Sequence, residues 1–465
     1  LEDLSCLPTM ELGDIPAEEP EVACEPQLQD EVRSCWFDQP TNGIGTVALN
    51  FCLEGLNGEQ LAYLPIFSSL LTQIGAGERD YLQMAQRLEA VTGGISARTS
   101  LLDNPADLDS FMATFEVKGK ALVRNSEPLF ELLHDILLAP YFTDLQRIHT
   151  VLNQLKVSLE NSVPQSGHTY AARTAAACLT PANWRRELWS GLSQVAMIRK
   201  FAAMKVDELQ PLSEALAGIG KQLFCRARLQ TAVTVEKDNF AAFRTPLEQL
   251  CSNLPAEVPS AGYEEKPFQP DPKRRGFVWS LPVSYVTRVH RAVPYSHSDS
   301  AALTVLSKLL RAEFLHREIR EKGGAYGGMA SYNSESGVFS MMSYRDPHIQ
   351  RTLQVYDQAV EWAVNGDFSA DSLKEAVLAV FSDLDKPLSP AGTGAQEFAN
   401  LRQGLTLEMR NQMRRQLLAV DAAALQAVAK KYLQQPGAVS VLAGEAALRK
   451  ANEQLGTQAL ELRKI

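Results

Sequence analysis

The 465-residue sequence contains no C-x-x-C pair. Its seven cysteines are odd in number and scattered. Zinc ribbons and thioredoxin-like redox sites are excluded, and a reducing compartment is expected rather than a disulfide framework. None of the seven histidines is followed by Glu, so H-E-x-x-H is absent; none has Glu three positions on, so H-x-x-E-H is absent too. No G-x-S-x-G occurs, and no glycine loop ends in Lys-Ser or Lys-Thr. No apolar run reaches the roughly 20 residues of a membrane helix. No signal peptide is read at the start. The chain opens on Leu1 rather than Met, so a piece of a longer protein is expected. A net charge of −10 disfavours nonspecific nucleic-acid binding. Lys273-Arg274-Arg275, Arg414-Arg415 and Lys430-Lys431 are short clusters that read as solvated faces. Gly43-Ile-Gly45-Thr-Val-Ala48 matches a dinucleotide fingerprint in letters only, because a turn precedes it and a strand follows.

What is present is a pattern that occurs twice. Residues 1–30 are acidic and proline-rich and read as an extended lead-in. Residues 252–275 carry prolines at 255, 259, 267, 270 and 272, a density that forbids a regular element and marks a linker. Between and beyond lie segments 31–251 and 276–465. Each begins with a strand-like run, Gly45–Phe51 or Gly276–Leu281. Each continues with a helix closed by a diglycine, Gly93-Gly94 or Gly323-Gly324. Each then has a strand, Phe111–Val117 or Val338–Tyr344, and a late strand, Thr231–Val235 or Ala438–Leu442. The expected fold class is therefore α+β, with two tandem homologous domains, each a mixed, mainly antiparallel sheet packed with helices.

Only the second copy carries a donor pair. Arg320 stands in the last turn of a helix, Gly323-Gly324 stop it, and Tyr326 opens the next strand. A guanidinium and a phenol six residues apart across such a corner suit a developing oxyanion. The same residues also suit plain structural roles: a cation against a helix C-terminus, a glycine cap and a sheet tyrosine. Ser343-Tyr344-Arg345-Asp346-Pro347 likewise suits a strand end that turns at Asp-Pro.

Taken together, Ile319–Gly328 and Gly337-Val-Phe-Ser340 leading into Ser343–Pro347, with support from Ser166-Gly-His-Thr-Tyr170 and Asp3–Pro8, resemble the C-terminal half of presequence proteases. These are a branch of the pitrilysin-type (insulin-degrading enzyme-like) zinc peptidases. The resemblance covers essentially the whole chain. It implies the substrate-clamping half of a zinc-dependent oligopeptidase that degrades unstructured peptides. Arg320 and Tyr326 would be its catalytic contribution, and Gly323, Gly324, Ala325, Tyr344 and Arg345 would contact substrate. The first domain would be non-catalytic. Zn2+ would be held by an N-terminal catalytic half that this chain lacks, so the chain alone is expected to bind no metal and to be inactive. The implied partners are that half and unstructured peptides, with no nucleic acid and no membrane. The implied location is a bacterial cytoplasm or an organelle matrix or stroma. A non-catalytic homologue, serving as structural subunit or peptide-binding scaffold, is the competing expectation.

Overall fold

The computed structural model describes residues 10–29, 31–258, 268–366 and 368–465. The first part of the expected lead-in and the centre of the expected linker lie outside the described residues. Twelve strands are described: β1 (Glu25–Gln29), β2 (Val32–Asp38), β3 (Ile44–Cys52), β4 (Ile95–Asn104), β5 (Asp107–Leu122), β6 (Leu229–Val235), β7 (Arg274–Val278), β8 (Tyr285–Arg291), β9 (Gly327–Asn333), β10 (Val338–Tyr344), β11 (Ala438–Ala443) and β12 (Glu461–Lys464). They form two six-stranded sheets, ordered β1-β2-β6-β3-β5-β4 and β12-β7-β11-β8-β10-β9.

Five strands correspond one to one. In each sheet a parallel pair, β2/β6 or β7/β11, is followed by antiparallel neighbours, β3-β5-β4 or β8-β10-β9. The sixth strand differs: β1 is antiparallel to β2, whereas β12 is parallel to β7. Topology also corrects one pairing made from sequence. The counterpart of Gly45–Phe51 in β3 is β8, not Gly276–Leu281, whose strand β7 matches β2. The strand β8 is masked in the sequence by Arg288 and His290. Arg288 leaves the sheet to reach Asp357 at 2.6 Å, and the His290 ring is buried. Gly93-Gly94 directly precedes the edge strand β4, and Gly323-Gly324 stands two residues before the edge strand β9.

Helices cover one face of each sheet and build the two large cores. Val47, Leu49 and Phe51 of β3 point into the first, and Val286, Phe339 and Val441 into the second. The opposite faces are covered by exchange. The Gly167–Ala176 helix of the first half lies on the second sheet, setting Tyr170 and Ala171 against Tyr285 and Leu442 and bringing Thr174 Oγ1 within 2.7 Å of Ser440 Oγ. The Pro390–Gln403 helix of the second half lies on the first sheet, with Phe398 against Phe37, Ala48 and Ala232. Strand β3 is thereby buried on both faces from Gly45 to Phe51, with Thr46 and Asn50 buried among its apolar residues.

His290 gives this architecture a pH dependence. Burial, with the positive charge of Arg288 nearby, pulls its pKa down to about 4, and its Nδ1 lies 3.1 Å from the Gln435 carbonyl oxygen. The folded state keeps the ring neutral while the unfolded chain takes up a proton near pH 6.5. Stability is therefore complete above pH 6.5 and falls as the pH drops towards 4, by on the order of 3 kcal/mol. Urea midpoints at pH 7 and pH 5 are expected to differ less in His290→Gln than in the wild type.

Candidate active site

Arg320 and Tyr326 are set by a local irregularity. The Ser300–Leu309 helix continues as Leu310–Glu321 with wider, π-type turns. Its last bonds run from Lys322 N to Arg317 O at 3.0 Å, from Gly324 N to Arg320 O at 3.0 Å and from Ala325 N to Ile319 O at 3.1 Å. Gly324 reverses the chain with φ +76°, and a side chain at Gly323 would meet the Ile319 carbonyl at 2.4 Å. Tyr326 N then donates to Tyr344 O at 3.0 Å, which starts β9 along the edge of the sheet.

The side chains form a ladder. The Arg320 guanidinium carbon lies 5.8 Å from the centre of the Tyr326 ring. The Tyr326 ring lies edge-on to Tyr344, with centroids 5.7 Å apart. Tyr344 rests in turn on Tyr285 at 5.6 Å and on His168 at 5.0 Å, and its hydroxyl donates to Gln165 O at 3.0 Å. Tyr326 is nonetheless 68% exposed, so its phenol projects from a supported base. Behind Arg320, His316 Nε2 accepts from the guanidinium at 3.2 Å and His316 Nδ1 lies 3.3 Å from Glu321 Oε1. That chain fixes the tautomer, with the proton on Nδ1, and aims the guanidinium.

The remaining residues named from sequence are placed unequally. Gly324 is exposed and Gly323 half-buried. Ala325 is buried in the second core, so its methyl does not face solvent. Tyr344 is half-buried and committed to the ladder. Arg345 is exposed, 5.4 Å from the Tyr344 ring, with a left-handed backbone of φ +50°. That conformation is uncommon for a side-chain-bearing residue. Asp346 pairs with Ser284 through two backbone bonds of 2.8 Å, and its buried carboxylate accepts from His348 N at 2.9 Å and Thr352 Oγ1 at 2.6 Å. Burial raises the Asp346 pKa, and these bonds oppose the rise.

Sequence reasoning missed the supports. His168, Gln165 and Tyr285 come from elements distant in sequence from Tyr344. His316 left a signal, its four-residue spacing before Arg320, which puts both on one helix face. Burial lowers the His168 pKa and keeps that ring neutral. Among the described residues, no group of three His, Cys, Asp or Glu side chains is placed to hold a metal. Among them also, no helix is long and apolar enough to cross a membrane.

Comparisons with known proteins bear on the family and the fold. A family model for the region associated with M16 peptidases of subfamily C matches residues 1–201, and one described as "PreP C-terminal domain" matches residues 277–435. The chain is 36% identical over 456 residues to the mitochondrial presequence protease of Yarrowia lipolytica, covering 95% of this chain and 44% of that protein. It is 33% identical to the Danio rerio mitochondrial presequence protease, covering 96% of this chain and 45% of that protein. The chain thus spans somewhat under half the length of these curated relatives. Among solved structures, a conserved protein from Enterococcus faecalis V583 superposes with a TM-score of 0.68 at 16% identity, covering 91% of this chain and 99% of the other. A peptidase M16 inactive domain from Pseudomonas fluorescens gives 0.62 at 14% identity, covering 91% and 98%. At these identities the structural likeness speaks for the fold.

Proposed function

On the premise that the chain belongs to the presequence protease family and corresponds to its C-terminal half, we propose that it is the substrate-clamping half of a zinc-dependent oligopeptidase acting on unstructured peptides. The observation that carries this reading is the exposed Tyr326 phenol held between Arg320 and Tyr344. Two donors on a rigid base are the equipment for a carbonyl oxygen that gains charge as its peptide bond is attacked. Arg320 meets the carbonyl as a cation, and Tyr326 donates a hydrogen bond from its hydroxyl to the oxyanion. Gly324 leaves room for a peptide backbone beside them, and Arg345 offers charge at the far end of the ladder. The zinc ligands belong to residues outside this chain, on a partner half. Division into a non-catalytic first domain near 31–251 and a second domain near 276–465 is part of the same proposal. The relatives' mitochondrial names support an organelle matrix over a bacterial cytoplasm.

The alternative reading is a non-catalytic homologue that serves as a structural subunit or peptide-binding scaffold. Activity separates the two readings. The full-length protein is expected to cleave an unfolded peptide, to spare the same sequence within a folded domain, and to lose activity to a chelator. Peptide binding without cleavage would favour the scaffold. The isolated chain is expected to hold no stoichiometric zinc at micromolar metal and to cleave nothing. Elemental analysis that found about one tightly held zinc per chain would contradict this.

A further inference from the structure

A second cleft, of about 720 Å3, opens where the β4–β5 hairpin meets the end of the Pro390–Gln403 helix. Its lining includes Arg185 and Ala113 from the first half and Arg402 and Gln403 from the second, so neither half makes it alone. Arg402 is the feature that calls for a ligand. Its Nη1 donates to Asn50 Oδ1 at 2.8 Å and its Nη2 lies 4.0 Å from Met112 Sδ. Its Nε–H, buried, has no protein acceptor. Glu116, the acid whose charge it feels most, is held by Arg98 at 2.7 Å. Burial lowers the Arg402 pKa to about 10, which leaves it charged at neutral pH. Nearby on the same face of the sheet, Asn50 and Thr114 are 1% and 2% exposed, and the Asn50 amide nitrogen and the Thr114 hydroxyl are also without partners. A desolvated cation with no carboxylate is costly, and so are unpaired buried donors.

We propose that this cleft is a peptide-binding site in which Arg402 receives a carboxylate, the C-terminal carboxylate of a peptide. The proposal rests on the reading of the protein as a peptide-degrading enzyme. Arg185, 3% exposed, adds a second positive charge to the wall. Leu53, Leu102, Phe111 and Met112 supply an apolar surface beside the cation for the last side chain of the peptide. A singly charged carboxylate fits better than a phosphate dianion, because Glu54, Asp103 and Asp109 also line the cleft and repel the greater charge. Asp103 and Asp109 are partly offset by Arg186 and Arg291. The planar fork of a guanidinium matches a carboxylate in geometry as well as in charge.

The test uses the chain as it exists, by calorimetric titration with N-acetyl-Ala-Ala-Leu as the free acid, as its C-terminal amide, and with inorganic phosphate. The free acid is expected to bind about tenfold or more tightly than the amide, and to weaken with salt. Arg402→Met is expected to abolish the difference. Because that change also removes the bond to Asn50, Gln403→Glu provides a second test: it is isosteric, adds a negative charge to the lining, and should weaken the acid by about tenfold with the melting temperature unchanged. Equal binding of acid and amide would overturn the proposal, as would undiminished acid binding in either variant. Binding of phosphate with no binding of the free acid would overturn the peptide assignment. The titrations read binding without cleavage, so the outcome is independent of the proposed role of Tyr326 in cleavage.

Discussion

In the full-length protein, Tyr326→Phe is expected to lower kcat by about 10²–10³-fold while KM moves little. The reason is that the phenol is supported yet unspent. Its ring packs on Tyr344 and under Arg320, and at 68% exposure its oxygen is free to meet a substrate. A contact made only with the charged transition state shows up in kcat rather than in ground-state binding. Arg320→Lys should be nearly as damaging, because an ammonium reproduces neither the planar fork nor the bond to His316 Nε2 at 3.2 Å. Arg320→Ala should raise KM as well if the guanidinium also holds the neutral carbonyl. Steady-state kinetics on one unstructured peptide, with melting temperature as control, make the comparison. A wild-type kcat in Tyr326→Phe would remove the oxyanion role. Activity lost only in step with melting temperature would return Tyr326 to a structural part.

The second large effect concerns the helix exchange between the halves. A Cβ at Gly167 would lie 2.2 Å from the Tyr285 ring, and one at Gly394 would lie 2.2 Å from Thr234 Oγ1. Tyr285 has little room to yield: it is 1% exposed and its hydroxyl donates to Pro164 O. Gly167→Ala and Gly394→Ala should each destabilise the chain by about 1–3 kcal/mol or more, through forced separation of helix and sheet. Gly218→Ala is the control, since a Cβ there meets nothing within 4 Å in the Gln210–Leu223 helix. It should be neutral or stabilising by up to about 1 kcal/mol. Denaturant unfolding of the three variants makes the check. Equal stability of all three would show that the exchanged helices do not bind the halves together.

Much of this is legible in the sequence. Strand β10 is readable at its observed bounds, and the diglycine stops are readable from spacing. These features are local, and local chemistry reports on them. The helix exchange is not legible. Gly167 and Gly394 look like helix weaknesses until the tyrosine and threonine that fill their space are known. The support beneath Tyr326 is hidden for the same reason, because His168 and Gln165 lie more than a hundred residues from Tyr344 in the chain. Strand β1 lies within a segment that reads as a lead-in because proline and acidic residues dominate its letters, yet it needs only one partner edge on β2 to be held. Arg320 and Tyr326 are visible as a pair. Their mutual approach needs the π-type turns, which no periodicity announces.

The most direct test of the central claim is a structure of the full-length protein with an uncleaved peptide bound. The account predicts the Tyr326 hydroxyl and the Arg320 guanidinium both at about 2.7–3.1 Å from the carbonyl oxygen of the bond to be cut. A peptide seated for cleavage with neither side chain in hydrogen-bond reach of that oxygen would contradict it.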